Sequence, residues 1–592
     1  MVVFADPAGF RTGRRGFRRT GSRWLLPVVV ISLALAGCAA IPTTDRVHEV
    51  QNIRGDEHLE PYVRVFPLLP RGGEGPTEIV RGFLQASSSD EPGYPTARAY
   101  LAPRVADGWD PGARAVVYDQ HQTPPLSAAA RNTVVLSASH VGTVDAEGKY
   151  EPADRGSITA TFRLTKVDGE WRIADLPDGL YVSLFDFQRV YRSVSLYFFD
   201  PEQRVLVPDP IYLPARSGLA AQVGRRLLRG PTSWLAPAVT TAFPDDASLS
   251  RPSIPVEDGV AHVRLSEAVL GASPERRDLM VAQLVWTLGE MPNVSSVRIT
   301  AKGEEFPISG DQAYQSTPMW KQYDPASSSV PPVGYFQRDG RLYTMARAEP
   351  ERAPGPFGEG AVPMRAFAVS PGSEVAAGVS ADGTTLHVGG IEEDARLQAR
   401  LEGTSLTSPS WDGRGNLWVV DQGDEAQVGA RVWRLSQGAQ PQEVSVERLA
   451  GDSRILALRV ASDGTRVALV VERQGRSSVL LGRVVPAGGG EVAIDGLRTV
   501  ARRLVEVRDV AWHGSERLAV LGRDAQGPLQ PYLVDTDGSQ LTPAGSLAGL
   551  EHLAAATDQP LIVGTKEGLI WQQSRGSGWT KIDPGHSPVY PG

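Results

Sequence analysis

Cysteine is nearly absent from this sequence: Cys38 is the only one in 592 residues. One thiol cannot close an intramolecular disulfide, and it cannot supply a multi-cysteine zinc or iron–sulfur site. Histidine is sparse too, with nine copies and no two at metal-ligand spacing. The apolar run at 24–37 has 14 residues and contains Pro27, whereas a spanning helix needs about 20. P-loop, HExxH and G-x-S-x-G patterns are missing, which removes the motif-defined nucleotide, zinc-protease and serine-hydrolase readings. Net positive charge is confined to the start. The first 37 residues hold six arginines and one acid, a net of +5, while the whole chain is −8, so the remainder is −13. A body this acidic argues against nucleic acid, because neutralising phosphates needs a basic footprint. No cofactor and no metal site is read from the residues.

What is present begins with those arginines. They precede the short apolar run, which ends in small residues, and together they describe an export signal at 1–37. The pair in "RRGF" (Arg14–Phe17) fits either a twin-arginine signal or a basic region with adjacent arginines by chance. Leu35, Ala36, Gly37 and Cys38 resemble the lipobox of bacterial lipoproteins. That resemblance implies a signal-peptidase motif at Leu35, Ala36 and Gly37, and lipidation of Cys38 as the new N-terminus. The chemistry suits a thiol, the most readily alkylated nucleophile in proteins, and more than one acyl chain gives stable anchoring. The bland alternative is a chance cysteine in an uncleaved anchor. Residues 38–60 are polar and unpatterned and read as a tether.

Residues 61–190 read as an α+β domain. "PTEIVRGFLQAS" predicts a helix over 76–87, with Pro76 in its first turn and Ile79, Val80, Phe83 and Leu84 on one face. A second helix is expected over 94–103. Strands follow at 114–119, 132–144, 156–167 and 169–176, with Ile158, Ala160, Phe162 and Leu164 alternating. Helices before long hairpins, closing on "GEWRI", resemble the nuclear-transport-factor-2-like class. Trp171 is read as a sheet or core aromatic, with a pocket wall as the alternative.

Residues 191–310 combine strands at 192–200, 204–208, 260–265 and 294–303 with two helices. The first is expected to open on Ser217 and close at Gly230–Pro231. The second opens on Ser273–Pro274 and presents Met280, Val281, Leu284, Val285 and Leu288. "VSLYFFD", "LLRGP", "DGVAHVRLS" and "QLVWTLGEMPNVSSVRITAKG" together resemble the GerMN domain of spore germination proteins, an envelope module without implied catalysis. His262 is read as a solvated strand position rather than a catalytic base.

A Pro/Ser-rich stretch, "YDPASSSVPP" (Tyr323–Pro332), marks a boundary, with 311–330 read as a linker and 331–592 as an all-β domain. A strand–turn–strand pattern recurs there, anchored at Leu342, Val375, Leu417, Val467, Leu518 and Leu561, with spacings of 33, 42, 50, 51 and 43. Such periods predict a β-propeller of about six blades. The terminal "HSPVYPG" is a candidate for completing one blade from the other chain end. Asp382, Asp463 and Asp537 stand in repeated Asp-Gly turns and are read as hairpin residues rather than metal ligands. Trp411, Trp418, Trp433, Trp512 and Trp571 are read as inter-blade packing, with a ligand floor as the alternative.

The order of lipobox, α+β domain, GerMN-like module and propeller resembles the actinobacterial LpqB lipoprotein family over nearly the whole chain. The resemblance implies an extracytoplasmic protein, held on the cell membrane through acylated Cys38. Its implied partner is the external domain of an MtrB-like sensor kinase, whose two-component signalling and envelope homeostasis it would tune. Two rivals stand beside this: a glycan- or solute-binding lipoprotein with an aromatic-lined pocket, and a propeller hydrolase of the cell wall with acids at the channel mouth. Substituting Cys38→Ser is expected to leave an unlipidated precursor that retains residues 1–37. Intact mass of the membrane-extracted protein checks this, and normal processing in the variant sinks the lipobox assignment.

Overall fold

The computed structural model describes residues 67–592, except 90, 120–123, 155, 311, 327–331, 348, 424–428, 448, 450, 575 and 577. Leu35, Ala36, Gly37 and Cys38 lie outside the described residues. So do the other residues expected to form an export signal and a tether.

The first domain sets short helices against a sheet. Helix α1 (Pro76–Ser87) buries Ile79, Val80, Phe83 and Leu84 on one face, as its spacing predicts. The stretch 94–103 does not form one helix. It makes a single turn, α2 (Pro95–Arg98), then straightens so that Leu101 bridges Ile173, before α3 (Pro103–Gly108). Pro103 disfavours helical backbone at the residue before it, which explains the break. The sheet comprises β1 (Arg114–Tyr118), β2 (Leu126–Ala130), β3 (Thr133–Asp145), β4 (Tyr150–Pro152), β5 (Ser157–Val167), β6 (Glu170–Asp175) and β7 (Leu180–Ser183), in the order β6-β5-β3-β1-β7, with β2 and β4 also on β3. Only β1 and β7 pair in parallel. In β5, Ala160, Phe162 and Leu164 are buried while Thr161 and Arg163 are exposed. Helix α4 (Leu184–Val190) leads out of the domain, capped by the Ser183 hydroxyl, which accepts from the Asp186 amide at 3.1 Å.

The second domain starts with the hairpin β8 (Tyr191–Phe199) and β9 (Leu206–Pro214). Helix α5 (Leu219–Leu228) follows. It opens on Gly218 at φ 80°, not on Ser217, because the chain turns through a left-handed residue and leaves no side-chain cap. Strands β10 (Val256–Glu257) and β11 (Val260–Leu265) lead to helix α6 (Pro274–Gly289) and β12 (Ser296–Ala301). The Ser273 hydroxyl caps α6, as expected. Strands β11 and β12 run parallel, joined by α6, whose Met280, Val281, Leu284, Val285 and Leu288 fill the core. Two short strands, β13 (Glu304–Glu305) and β14 (Tyr314–Gln315), pair with β12.

The segment 311–330, expected to be a linker, therefore carries structure of its own. Besides β14, a 3-10 turn at Thr317–Tyr323 buries Trp320 in the second-domain core and sets Tyr323 edge-on to Phe199 at 5.2 Å. Apolar anchors two to three residues apart give this Pro/Ser-flanked stretch more to gain by packing than by remaining extended.

Six four-stranded blades follow among the described residues. The first strands of blades 2 to 6 are Met364–Val369, Ser410–Trp411, Arg454–Val460, Leu504–Trp512 and Leu550–Ala554, and neighbouring first strands meet around a central channel. Blade 1 takes its first strand from the chain's far end: His586–Val589 pairs antiparallel with Tyr335–Arg338, so "HSPVYPG" does complete a blade. This explains the short spacing of 33. Leu342 lies on the third strand of its blade, whereas the other anchors fall at or beside second strands. Blades 3 and 4 are joined at their outer strands, where Gln442–Val446 pairs in parallel with Glu491–Thr499.

Tyr590 locks the closure. It is 7% exposed, packs with Phe336, Ile562 and Ile570, and donates its hydroxyl to the Pro560 carbonyl at 2.8 Å. Tyr590→Ala is expected to cost about 3–5 kcal/mol, and Tyr590→Phe only about 1 kcal/mol. Urea unfolding of both variants checks this; a loss below about 1 kcal/mol in the alanine variant would show that ring closure is held elsewhere.

Candidate functional site

The first-to-second-strand turns of the blades gather on one face of the propeller. A cavity of about 580 Å³ opens there, where the central channel meets the second domain. Phe367, Trp512, Leu553 and Tyr590 contribute its apolar walls, and Arg204, Arg414 and Arg459 its cations. Arg459 reaches Asp509 at 3.5 Å, and that carboxylate also accepts from the amides of Val510 and Leu553 at 2.9 and 3.1 Å. Asp509 thus ties two neighbouring first strands together across the channel. The carboxylates lining the cavity, Asp324 and Asp558, come from separate segments. Among the described residues that line it, Ser410 and Ser462 have no histidine beside them to complete a nucleophilic triad.

The turn aspartates take structural roles. Asp382 accepts from the Ser380 hydroxyl and from the amide and hydroxyl of Thr384. Asp463 accepts from both groups of Thr465 and from Arg466 Nε at 2.9 Å, inside the protein. Asp537 accepts from the Ser539 amide at 2.8 Å. Of the tryptophans, Trp418 is fully buried and Trp411 nearly so, while Trp433 and Trp571 pack against blade cores. Trp512 does both jobs: it packs between blades and walls the cavity. The Arg466 guanidinium lies 5.1 Å from its ring centre. Trp171 lies against the first-domain core beneath Lys166, and His262 sits part-exposed on β11.

The strongest electrostatics lie at the seams between domains, on residues that no sequence motif singles out. Arg414 of blade 3 reaches into the second domain and binds Asp200 at 2.7 Å and Glu202 at 2.8 Å. Asp200 is fully buried, and burial pushes its carboxyl up against the pull of Arg414 and backbone amides. Nearby, Glu516 of blade 5 meets the Ser195 hydroxyl on β8. Trp234, in the loop after α5, packs against both the second-domain core and a propeller core. Its indole N–H donates to the Gly496 carbonyl at 2.7 Å, Arg498 stacks 4.0 Å from its ring centre, and Arg483 donates to its carbonyl. A Cβ at Gly496, where φ is +61°, would stand 3.1 Å from the indole nitrogen, so glycine is required for this approach.

The first domain joins the same junction. Arg226 and Ser233 bind the backbone and carboxylate of Glu147 at 2.7 and 2.8 Å, Phe187 lies 5.1 Å from Tyr212, and Asp154 pairs with Arg502 of the propeller. One faint signal for this junction was available: "SWLAP" places a tryptophan in a polar loop just past the end of a helix.

Comparison with known proteins gives a consistent result. Residues 69–188 match the lipoprotein LpqB N-terminal domain model, 195–306 the sporulation and spore germination model, and 340–591 the lipoprotein LpqB beta-propeller domain model. Lipoprotein LpqB of Thermobifida fusca is 36% identical, covering 95% of this chain and 97% of its own. Its namesake in Streptomyces coelicolor is 36% identical, covering 98% and 99%. Among solved structures, TolB from Acinetobacter baumannii aligns with 46% of this chain and 69% of its own, at 14% identity and a TM-score of 0.34.

The seams carry a pH dependence. Glu516 is pushed up to about 7 from 4.5, first by burial and then by the Glu290 charge. Asp209, buried in the second domain, is pushed up to about 6 from 3.8 by burial, against two hydrogen bonds from Thr232. Between their ordinary and raised values both carboxyls take up a proton on folding. Their contribution to stability is therefore full below the ordinary values and is lost as pH rises through about 6 and 7. Unfolding midpoints at pH 5 and pH 8 are expected to show the higher stability at pH 5, with Glu516→Gln flattening the difference. An unchanged difference in the variant would rule out Glu516 as a source.

Proposed function

The chain belongs to the LpqB lipoprotein family, and on that premise we propose that it works on the extracytoplasmic face of the cell membrane. Anchored through acylated Cys38, it binds the external domain of an MtrB-like sensor kinase and modulates two-component signalling in envelope homeostasis. One observation supports a binding role over a catalytic one. The carboxylates with raised pKa are engaged between domains, within the second domain or in a blade turn, Glu516 with Ser195, Asp200 with Arg414, Asp209 with Thr232 and Asp537 with Ser539, while the described residues lining the channel mouth include no histidine to serve as a base. A wall hydrolase needs the reverse arrangement, with its perturbed acids free at the mouth.

The physics of such a role is simple. A lipid anchor confines the body to the membrane surface and raises its effective concentration beside a membrane receptor. Binding then shifts the receptor's equilibrium only by the difference in affinity for its two states. A body tied together at its seams suits this, because a stiff surface loses little freedom on docking.

Photocrosslinking of the full-length lipidated protein in native membranes, followed by mass spectrometry, tests the proposal. A sensor-kinase external domain is expected among the adducts, reduced when Cys38→Ser releases the protein from the membrane. Recovery of wall fragments without any kinase overturns it.

A further inference from the structure

Residues 38–592 carry a net charge of −13, yet the outer face of the second domain gathers cations. Strands β11 and β12 place His262 beside Arg298 and Arg264 beside Thr300. Alternation sends Ala261, Val263, Leu265, Val297, Ile299 and Ala301 into the core, which leaves His262, Arg264 and Arg298 on the other side. A depression of about 550 Å³ lies over them, lined also by Arg251 and Lys302. A second depression, of about 620 Å³, adjoins it at the end of α5 and takes in Arg225 and Arg229. Arg251 is common to both.

The nearby carboxylates do not cancel this band. Glu305 pairs with Arg298, Glu267 pairs with Lys302 at 2.8 Å, Asp245 borders the second depression and Glu257 stands at the end of β10. Among the described residues, Arg225, Arg229, Arg251 and Arg264 have no carboxylate within ion-pair distance, and all four are exposed. Arg225 is oriented by donating to the Pro252 carbonyl at 2.8 Å, and the 250–264 contact, Ser250 amide to Arg264 carbonyl, holds Arg251 close to Arg264. Free guanidiniums in adjoining concavities repel one another and match the oxygens of phosphate, which they bind bidentately.

We propose that this band is a binding site for a linear polyanion of phosphate groups. One phosphate sits in each depression, with Arg251 between them. The proposal is independent of the kinase reading. Two depressions sharing a cation favour a chain with spaced charges over a flat anionic bilayer, which would meet the rims and miss the floors.

The test is calorimetric titration of the full-length lipidated protein, in neutral detergent at low salt, with inorganic tripolyphosphate and with orthophosphate. Tripolyphosphate is expected to bind at least about tenfold more tightly than orthophosphate and to weaken as salt is added. Arg251→Ala and Arg264→Ala are each expected to lose roughly tenfold or more. Arg347→Ala, at an exposed ion pair with Glu351 on the propeller, is expected to change little. The proposal is overturned by absence of tripolyphosphate binding, or by losses at Arg251 and Arg264 no larger than at Arg347. It is equally overturned if the protein sediments with phosphatidylglycerol vesicles through Arg251 while tripolyphosphate fails to bind, since the band would then be a membrane-docking face.

Discussion

The second domain and the propeller are joined around one wedge, Trp234. Trp234 packs on the second-domain core and on a propeller core at once, with Arg498 across its ring and the Gly496 carbonyl taking its N–H. An indole buries a large apolar area and fixes its orientation with one hydrogen bond, so it aligns two surfaces as well as joining them. Around it the charged contacts find their register. Arg483 reaches the Trp234 carbonyl, Ser233 reaches Glu147 of the first domain, and Arg414 reaches Asp200. None of these pairs would stand in place if the domains were free to rotate.

Burial at these seams has an electrostatic consequence. Carboxylates withdrawn from water are costly to ionise, and those without a full complement of donors are pushed up. Asp200 has Arg414 and two backbone amides, while Glu516 has the Ser195 hydroxyl and a repelling neighbour in Glu290. The perturbed acids are therefore structural fasteners whose strength depends on pH. The channel mouth, by contrast, is walled by Trp512, Phe367 and arginines, with Asp324 and Asp558 also lining it.

Regular, local patterns were legible in the residues. The alternation in β5, the apolar face of α6 with its Ser273 cap, and the recurring second-strand anchors of the blades all report burial on one side of one element. The GerMN-like module was legible in its ordered motifs and the propeller in its repeat period. Features that depend on a distant partner were misread. The 311–330 stretch looked like a linker beside the Pro/Ser-rich Tyr323–Pro332, and only the presence of Phe199 and β12 buries Trp320 and Gln315 and packs Tyr323 against the core. The 94–103 helix breaks ahead of Pro103, and the straightened chain there lets Leu101 bridge Ile173.

The succession of domains and the approximate blade count were readable in the residues, since each is written in local composition or in a repeating period. The terminal stretch was a candidate for blade closure in the residues, but tertiary structure alone pairs His586–Val589 with Tyr335–Arg338 and sets Trp234 and Glu516 between domains. It alone brought Arg225, Arg251 and Arg264 onto one face, from a helix, a loop and a strand. The physical reason is common to all three: burial and charge pairing act between groups near in space, and a single sequence records only what is near along the chain.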